Sequence, residues 1–271
     1  MSKNLTEFLE NPRQNEPKNS KVQKLESEDS YIPEKVLVFD LIGPMAHFRN
    51  IQTNSTSLTY SFPPPTTVYG LLSGLLGFER DSYYDIFQPN SIFLAIQKMV
   101  NTRKLIQTVN YVQPSEVNYT QIPLEILLPF NSNELIFRIF FSIKDRNIYL
   151  KLKEMLQESD FVFPPYLGIS EFLSTINFVG EGAISQIHNF SSIDLDSVIR
   201  KSNLKIADIP NDCKMFPEFM RTYFKSNRMP GEVDTYYHII GNKLKVIPNE
   251  SFFRISFIGC GKEKQVIVSR L

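Results

Sequence analysis

The chain has 271 residues, 42% hydrophobic and 13% aromatic, enough apolar material for a core in one large domain or two small ones. Its 29 lysines and arginines match 29 acidic residues, so no whole-molecule field draws it to nucleic acid or to an anionic membrane, and any RNA contact has to be local. The longest apolar run, Val68 to Phe78, falls well short of the roughly 20 residues of a spanning helix, and the N-terminus lacks the apolar stretch of a secretory signal. No membrane contact and a cytoplasmic location are therefore expected.

Residues 1–34 are polar and charged, too poor in large apolar side chains to offset the entropy of ordering, and read as a flexible tail. Leu5, Phe8 and Leu9 fall at helical spacing within it, a pattern open to a short docking helix or to a fraying arm. From Lys35, VLVFDLI reads as a strand ended by a Gly43-Pro44 turn, and a polar stretch follows from His47 to Ser61. Thr66 and Thr67, after Pro63-Pro64-Pro65 and before VYGLLSGLLG, suit the start of a helix whose apolar stripe is Leu71, Leu72, Leu75 and Leu76. IFLAIQKMV, KLIQTVNYV and ELIFRIFFSI read as strands, and Ile148, Leu152, Met155 and Leu156 mark the buried face of a second helix. A last strand is placed at ISEFLSTINFV.

This order predicts an α+β fold: a ferredoxin-like domain over 35–179, with two helices on one sheet face and the other face open. The pieces EGAISQI, YYHII, KLKVI and RISFI predict a smaller β-rich region over 180–271. Cys213 and Cys260 stand alone, without the paired spacing of a zinc site, and read as buried or inert thiols. Gly259-Cys260-Gly261 reads as a turn between strands.

GPMAHFRN, TNSTSLTYSFPPPTTVYGLLSGLLGF and PPYLGISEF at Pro164 to Phe172 resemble, in order and spacing, the signature stretches of the CRISPR-associated Cas-five family of the RAMP superfamily. The resemblance covers residues 36–80 and 160–178 and looks nearest to the type I-B branch. It implies a subunit of the type I Cascade ribonucleoprotein that grips the 5′ handle of the CRISPR RNA. Such a subunit contacts a Cas-seven-type backbone subunit, abuts the large PAM-recognising subunit, and meets target DNA only indirectly. It also implies a β-hairpin thumb, for which Asn101 to Pro129 occupies the matching place.

Single-stranded RNA is held by cations on phosphates, aromatic faces under bases, and short polar groups at base edges and 2′-hydroxyls. In the polar stretch Arg49 offers a fork to a phosphate and His47 and Phe48 offer rings. Asn50, Asn54, Ser55, Thr56, Ser57 and Tyr60 offer amides and hydroxyls, and Thr66 and Thr67 place a helix N-terminus toward an anion. Without the resemblance, these short polar residues read as caps and turns. Arg103, Lys104 and Arg138, with Lys98 and Arg146, are candidates for a basic track along the sheet, although strand-face cations are also commonly just solvated.

One branch of the family cleaves precursor RNA with a tyrosine, a lysine and a histidine. His47, His188 and His238 are the only histidines here, and none adjoins Lys98 or Lys104 in sequence. The expectation is a non-catalytic subunit without metal or cofactor, beside a separate Cas-six processing nuclease. Two alternatives stay open: a metal-independent endoribonuclease using His47 and Tyr60, and a protein-interaction adaptor using the tail and the C-terminal region.

Overall fold

VLVFDLI is apolar on both of its alternating faces, and such a run belongs in the middle of a sheet covered on two sides. In the computed structural model, which describes residues 31–53, 56–112, 119–187, 192–241, 243–249 and 251–271, this run is β1 (Lys35–Gly43). The tail pattern of Leu5, Phe8 and Leu9 lies outside the described residues, as does His188. The chain continues through α1 (Pro65–Leu76), β2 (Ile92–Lys98), β3 (Thr102–Val112), β4 (Tyr119–Pro129), β5 (Leu135–Ile143), α2 (Arg146–Glu158) and β6 (Thr175–Gln186). Then come β7 (Ile193–Asp194), β8 (Ile199–Arg200), β9 (Ile206–Asp208), β10 (Lys214–Arg221), β11 (Val233–Ile240), β12 (Lys245–Val246), β13 (Phe252–Gly259) and β14 (Lys262–Ser269). No helix among the described residues is long and apolar enough to cross a membrane.

The main sheet is six-stranded in the order β14-β13-β6-β1-β5-β2, with every pair antiparallel. On one face Leu37, Phe39, Leu41, Phe137, Ile139 and Phe141 meet Val68, Leu72 and Leu75 of α1 and Leu152 and Leu156 of α2. The opposite face is not open, as the sequence led us to expect. Val36, Val38, Phe93, Ala95 and Phe140 are covered by Phe253, Ile255, Phe257, Val266 and Val268 of β13 and β14, with Phe93 and Phe253 edge to face at 5.1 Å. Strands apolar on both faces cannot leave one in water, and the last hairpin curls over to cover it. The curl also protects the outer edge of β2, whose Leu94 and Ile96 carbonyls accept from Leu271 and Val198 amides at 2.9 and 2.8 Å.

Thr66 and Thr67 stand in the first turn of α1, at the helix start the sequence marks; Pro64 holds the cap position at ψ 152°, no side chain caps the helix, and Pro65 opens it. A proline there supplies the helical φ and has no N–H to leave unsatisfied. The last strand of the first half starts at Thr175 and not at Ile169, because residues 165–174 form a turn in which Phe172 N donates to Ile169 O at 3.0 Å and Ser174 N to Pro165 O.

The strand pieces after residue 180 are distributed between sheets. β6 runs through that position, β13 pairs onto β6, and the shorter strands form sheets ordered β10-β11-β8 and β7-β12-β9. Leu195, Ile199, Leu244, Val246 and Phe252 form the core beneath the short strands. Cys213 is buried, and burial raises its thiol pKa; Cys260 is exposed in the β13–β14 turn, so the buried-thiol reading fails there. Cys260 and Gly261 both take positive φ, 53° and 73°, as a tight reversal of two strands demands.

Candidate nucleic-acid interface

The segment after β1 folds as a small antiparallel loop whose root is stitched to the long hairpin β3–β4. Tyr60 N donates to Phe48 O at 2.8 Å, Asn50 N to Leu58 O at 2.8 Å, and Ala46 and Leu127 exchange backbone bonds at 3.0 and 2.8 Å. β3 and β4 pair without interruption from Thr102↔Pro129 to Val112↔Tyr119.

The root residues are buried and spoken for, which corrects the stacking roles given to His47 and Phe48. Both are 2% exposed. His47 Nδ1 donates to Glu125 O at 2.7 Å, because a carbonyl can only accept, and Nε2 pairs with the Ser57 hydroxyl at 3.0 Å. Phe48 meets Phe137 edge to face at 5.8 Å, within the core. Tyr60, also 2% exposed, donates its hydroxyl to Phe219 O at 2.7 Å, and burial raises its pKa. The loop is buried on both sides at its root: His47 packs on β4 through Glu125 while its neighbour Phe48 turns into the core against Phe137.

The tip keeps the polar groups in water. Arg49 is exposed and makes no ion pair among the described residues, and Gln52 and Thr56 are exposed too. Asn50 is half-buried and its side-chain oxygen accepts from Gln52 N at 3.0 Å, a turn-forming role. Asn54 and Ser55 lie outside the described residues. Thr66 and Thr67 are half-buried at the start of α1, and Thr67 N donates to Pro64 O at 2.9 Å. With Pro65 having no N–H, little of that helix terminus is left for an anion.

The proposed basic track breaks up. Arg138 is 8% exposed and forms a two-pronged ion pair with Asp40, Nε to Oδ1 at 2.7 Å and an Nη to Oδ2 at 2.8 Å, between the sheet and Phe257. Nothing local to IFRIFF announces the layer that covers it, so the sequence alone offers Arg138 as a strand-face cation. Arg146 follows the far end of β5, roughly 25 Å of strand away from the loop. Lys104 donates to Thr59 O at 2.6 Å and faces Glu125 Oε2 at 3.5 Å and Glu218 Oε1 at 3.9 Å, which makes it a clip between hairpin, loop and β10. Arg103 is exposed at the hairpin root without an ion partner among the described residues, so apart from the distant Arg146, which is exposed too, Arg49 and Arg103 are the predicted cations left facing solvent without such a partner.

Several neighbours escaped the sequence reading. β10 brings Glu218 to the loop, where its carboxylate accepts from the Ser61 hydroxyl at 2.7 Å. It also brings Phe216, 41% exposed and stacked on His238 at 5.3 Å, and Phe219, 49% exposed. Lys98 does have an adjoining histidine after all: its Nζ lies 3.2 Å from His238 Nδ1, contributed by β11 from 140 residues away. Burial is the main reason the Lys98 ammonium is pulled down to about 8, with Glu218 opposing and Lys104 assisting. Burial, then Lys98 and Lys104, push the His238 imidazole down to about 3. Glu218 would favour the charged ring, but at 3.9 Å it is beyond hydrogen-bond range.

A histidine held neutral in the fold makes stability depend on acid. Between pH about 6.5 and about 3 the unfolded chain binds a proton at this ring that the folded chain refuses, so its contribution is full above that window and is lost as pH falls. Replacing His238 with Gln should flatten the urea-midpoint profile between pH 4 and 6, by up to about 1.4 kcal/mol per pH unit. An unchanged slope would place the imidazole in contact with solvent.

Residues 36–123 match the family model described as CRISPR-associated protein (Cas_Cas5). Among curated proteins, none matches this chain in sequence. A CRISPR protein from Archaeoglobus fulgidus has a similar structure, at 13% identity and a TM-score of 0.53, over 88% of this chain and 100% of that one. A chain of a CRISPR RNA-guided surveillance complex matches at 12% identity and a TM-score of 0.45, over 78% of this chain and 91% of its own. At such identities the likeness to the archaeal protein speaks to fold.

Proposed function

We propose that this chain, whose residues 36–123 match the CRISPR-associated Cas5 family model, is a non-catalytic subunit of a Cascade-type complex that holds the 5′ handle of a CRISPR RNA. In this role it caps a Cas-seven-type backbone beside a large PAM-recognising subunit. The observation that carries the reading is the exposed loop tip with Arg49, standing next to the root of the β3–β4 hairpin with its exposed Arg103. Both guanidinium groups are exposed and without an ion partner among the described residues, the kind of group that takes phosphates of a single strand. Exposed Phe216 and Phe219 on the adjoining β10 add ring faces that the loop itself does not supply. We read β6-β1-β5-β2 with α1 and α2 as a ferredoxin-like core and β3–β4 as its thumb, supported by the strand order and the uninterrupted hairpin pairing.

The endoribonuclease alternative needs His47 and Tyr60 at the RNA. Both are buried and hydrogen-bonded inside the protein, which favours the non-catalytic reading. Replacing Arg49 with Ala in the assembled complex should weaken RNA retention by roughly tenfold at moderate salt and lower the salt slope by about 1. Filter binding across a salt series reads both quantities. Unchanged retention and slope would remove the loop from the RNA path.

A further inference from the structure

The ladder between β10 and β11 continues past Arg221 and Val233 into an arm. Thr222 N donates to Glu232 O at 3.0 Å and Gly231 N to Tyr223 O at 2.9 Å, and the chain reverses where Lys225 N donates to Met229 O and Arg228 N to Lys225 O, both at 2.9 Å. We propose that this arm, residues 222–232, is a strap that an ion pair between Arg228 and Asp81 latches onto the segment between α1 and β2, and that salt releases it.

The residue at the corner of the turn carries the argument. Arg228 takes φ +61°, the left-handed corner of such a reversal, which glycine fills without steric penalty. Asp81, its partner, takes φ +67° in its own turn. Two left-handed residues, neither of them glycine, thus face each other, with Arg228 Nε donating to Asp81 Oδ1 at 3.0 Å. A short acidic side chain tolerates that backbone region through local hydrogen bonds, whereas an arginine has no such help, and what it brings to the corner is the reach of its guanidinium. Tyr84 steadies the receiving carboxylate, its hydroxyl donating to the same Oδ1 at 2.7 Å.

The hold is light. Residues 225–230 are all exposed, and the arm also meets the body through Phe224, whose carbonyl accepts from Gln88 Nε2 at 3.1 Å and whose ring lies 5.7 Å from that of Tyr84. The Arg228 and Asp81 side chains are 56% and 31% exposed, so the pair attracts through water and weakens as ions screen it. The base of the arm is firmer: Thr222 is buried, and its hydroxyl donates to Glu232 O at 3.0 Å, which puts the hinge there. The arm continues β10, whose Glu218 and Phe219 hold Ser61 and Tyr60, so the latch steadies the far end of the strand that supports the loop.

Trypsin acting on the full folded chain tests this, because cleavage after Lys225 follows the open population when opening is fast relative to cutting. In the wild type that cleavage should rise by roughly 2–5-fold between about 0.03 M and about 0.5 M salt, measured against a peptide of residues 222–232 that reports the protease's own response to salt. Asp81→Asn removes the charge and keeps a residue that accepts a left-handed φ, and it should be cut at the faster rate at both salts. Arg228→Gln should behave alike, and the double variant should be cut no faster than either single one, since all three lack the same contact. A wild-type rate indifferent to salt, equal low-salt rates in wild type and Asp81→Asn, or additive effects in the double variant would each overturn the latch.

Discussion

Replacing Asp40 with Ala should lower the stability of the folded chain by about 3–5 kcal/mol, because it strands the Arg138 guanidinium between two packed layers. The pair lies on β1 and β5 in direct register, its side chains are 8% and 10% exposed, and the guanidinium carbon sits 5.5 Å from the Phe257 ring centre. What is lost is the compensation for an enclosed charge, so the companion experiment points the other way. Replacing Asp40 with Leu and Arg138 with Met together should be close to neutral or stabilising, since apolar groups of similar volume suit that layer. Urea denaturation of the three proteins checks both statements. A loss below about 1 kcal/mol in the single variant would mean that water reaches the pair.

An alanine at Gly168 should cost about 4 kcal/mol or more and disturb RNA retention further than Arg49→Ala does. Gly168 has φ +95°, and a Cβ there would stand 1.9 Å from the His47 carbonyl oxygen. Neither atom can yield cheaply, because His47 N donates to Leu167 O at 3.0 Å and its ring is fixed at both nitrogens. Separating the two segments at this crossing moves the loop as a unit, whereas removing Arg49 deletes one contact. Gly74 is the internal control: nothing lies within 4 Å of its would-be Cβ, so Gly74→Ala in α1 should gain about 0.5–1 kcal/mol. Equal effects at the two glycines would contradict the close crossing.

The elements that the sequence disclosed are those whose pattern is local. VLVFDLI and IFRIFFSI have the composition of central strands, and α2 has its spacing plus Asp145, which caps it by accepting from Asn147 and Ile148 amides at 2.8 and 3.2 Å. β10 hid behind Pro217, a residue that argues against a strand unless the strand is an edge, as this one is in β10-β11-β8. β14 hid behind KEKQ, whose exposed half looks like a loop before VIVS turns inward.

Of the candidate site, the loop and the hairpin were legible as segments, but not which side chains they bury. His47, Phe48 and Tyr60 have the chemistry of RNA contacts, and only the packing of the loop on β4 turns them inward. Lys98 and His238 could not be paired from sequence because the bond spans 140 residues and depends on how β11 approaches β2. Glu125 and Glu218 carried no signal either, since a carboxylate beside an amide and a lysine looks like any other surface acid until the fold is known.

The curled sheet also bears on the order in which the molecule can be completed. β1, β2, β5 and β6 are all synthesised before β13 and β14, yet among the described residues it is these two strands that cover the face carrying Val36, Val38, Phe93 and Phe140. A nascent chain that has already built its helical side still presents that greasy surface to water until the final hairpin emerges from the ribosome. Pairings so distant in sequence form slowly, which makes this intermediate a natural client for a chaperone and a starting point for aggregation when translation stalls.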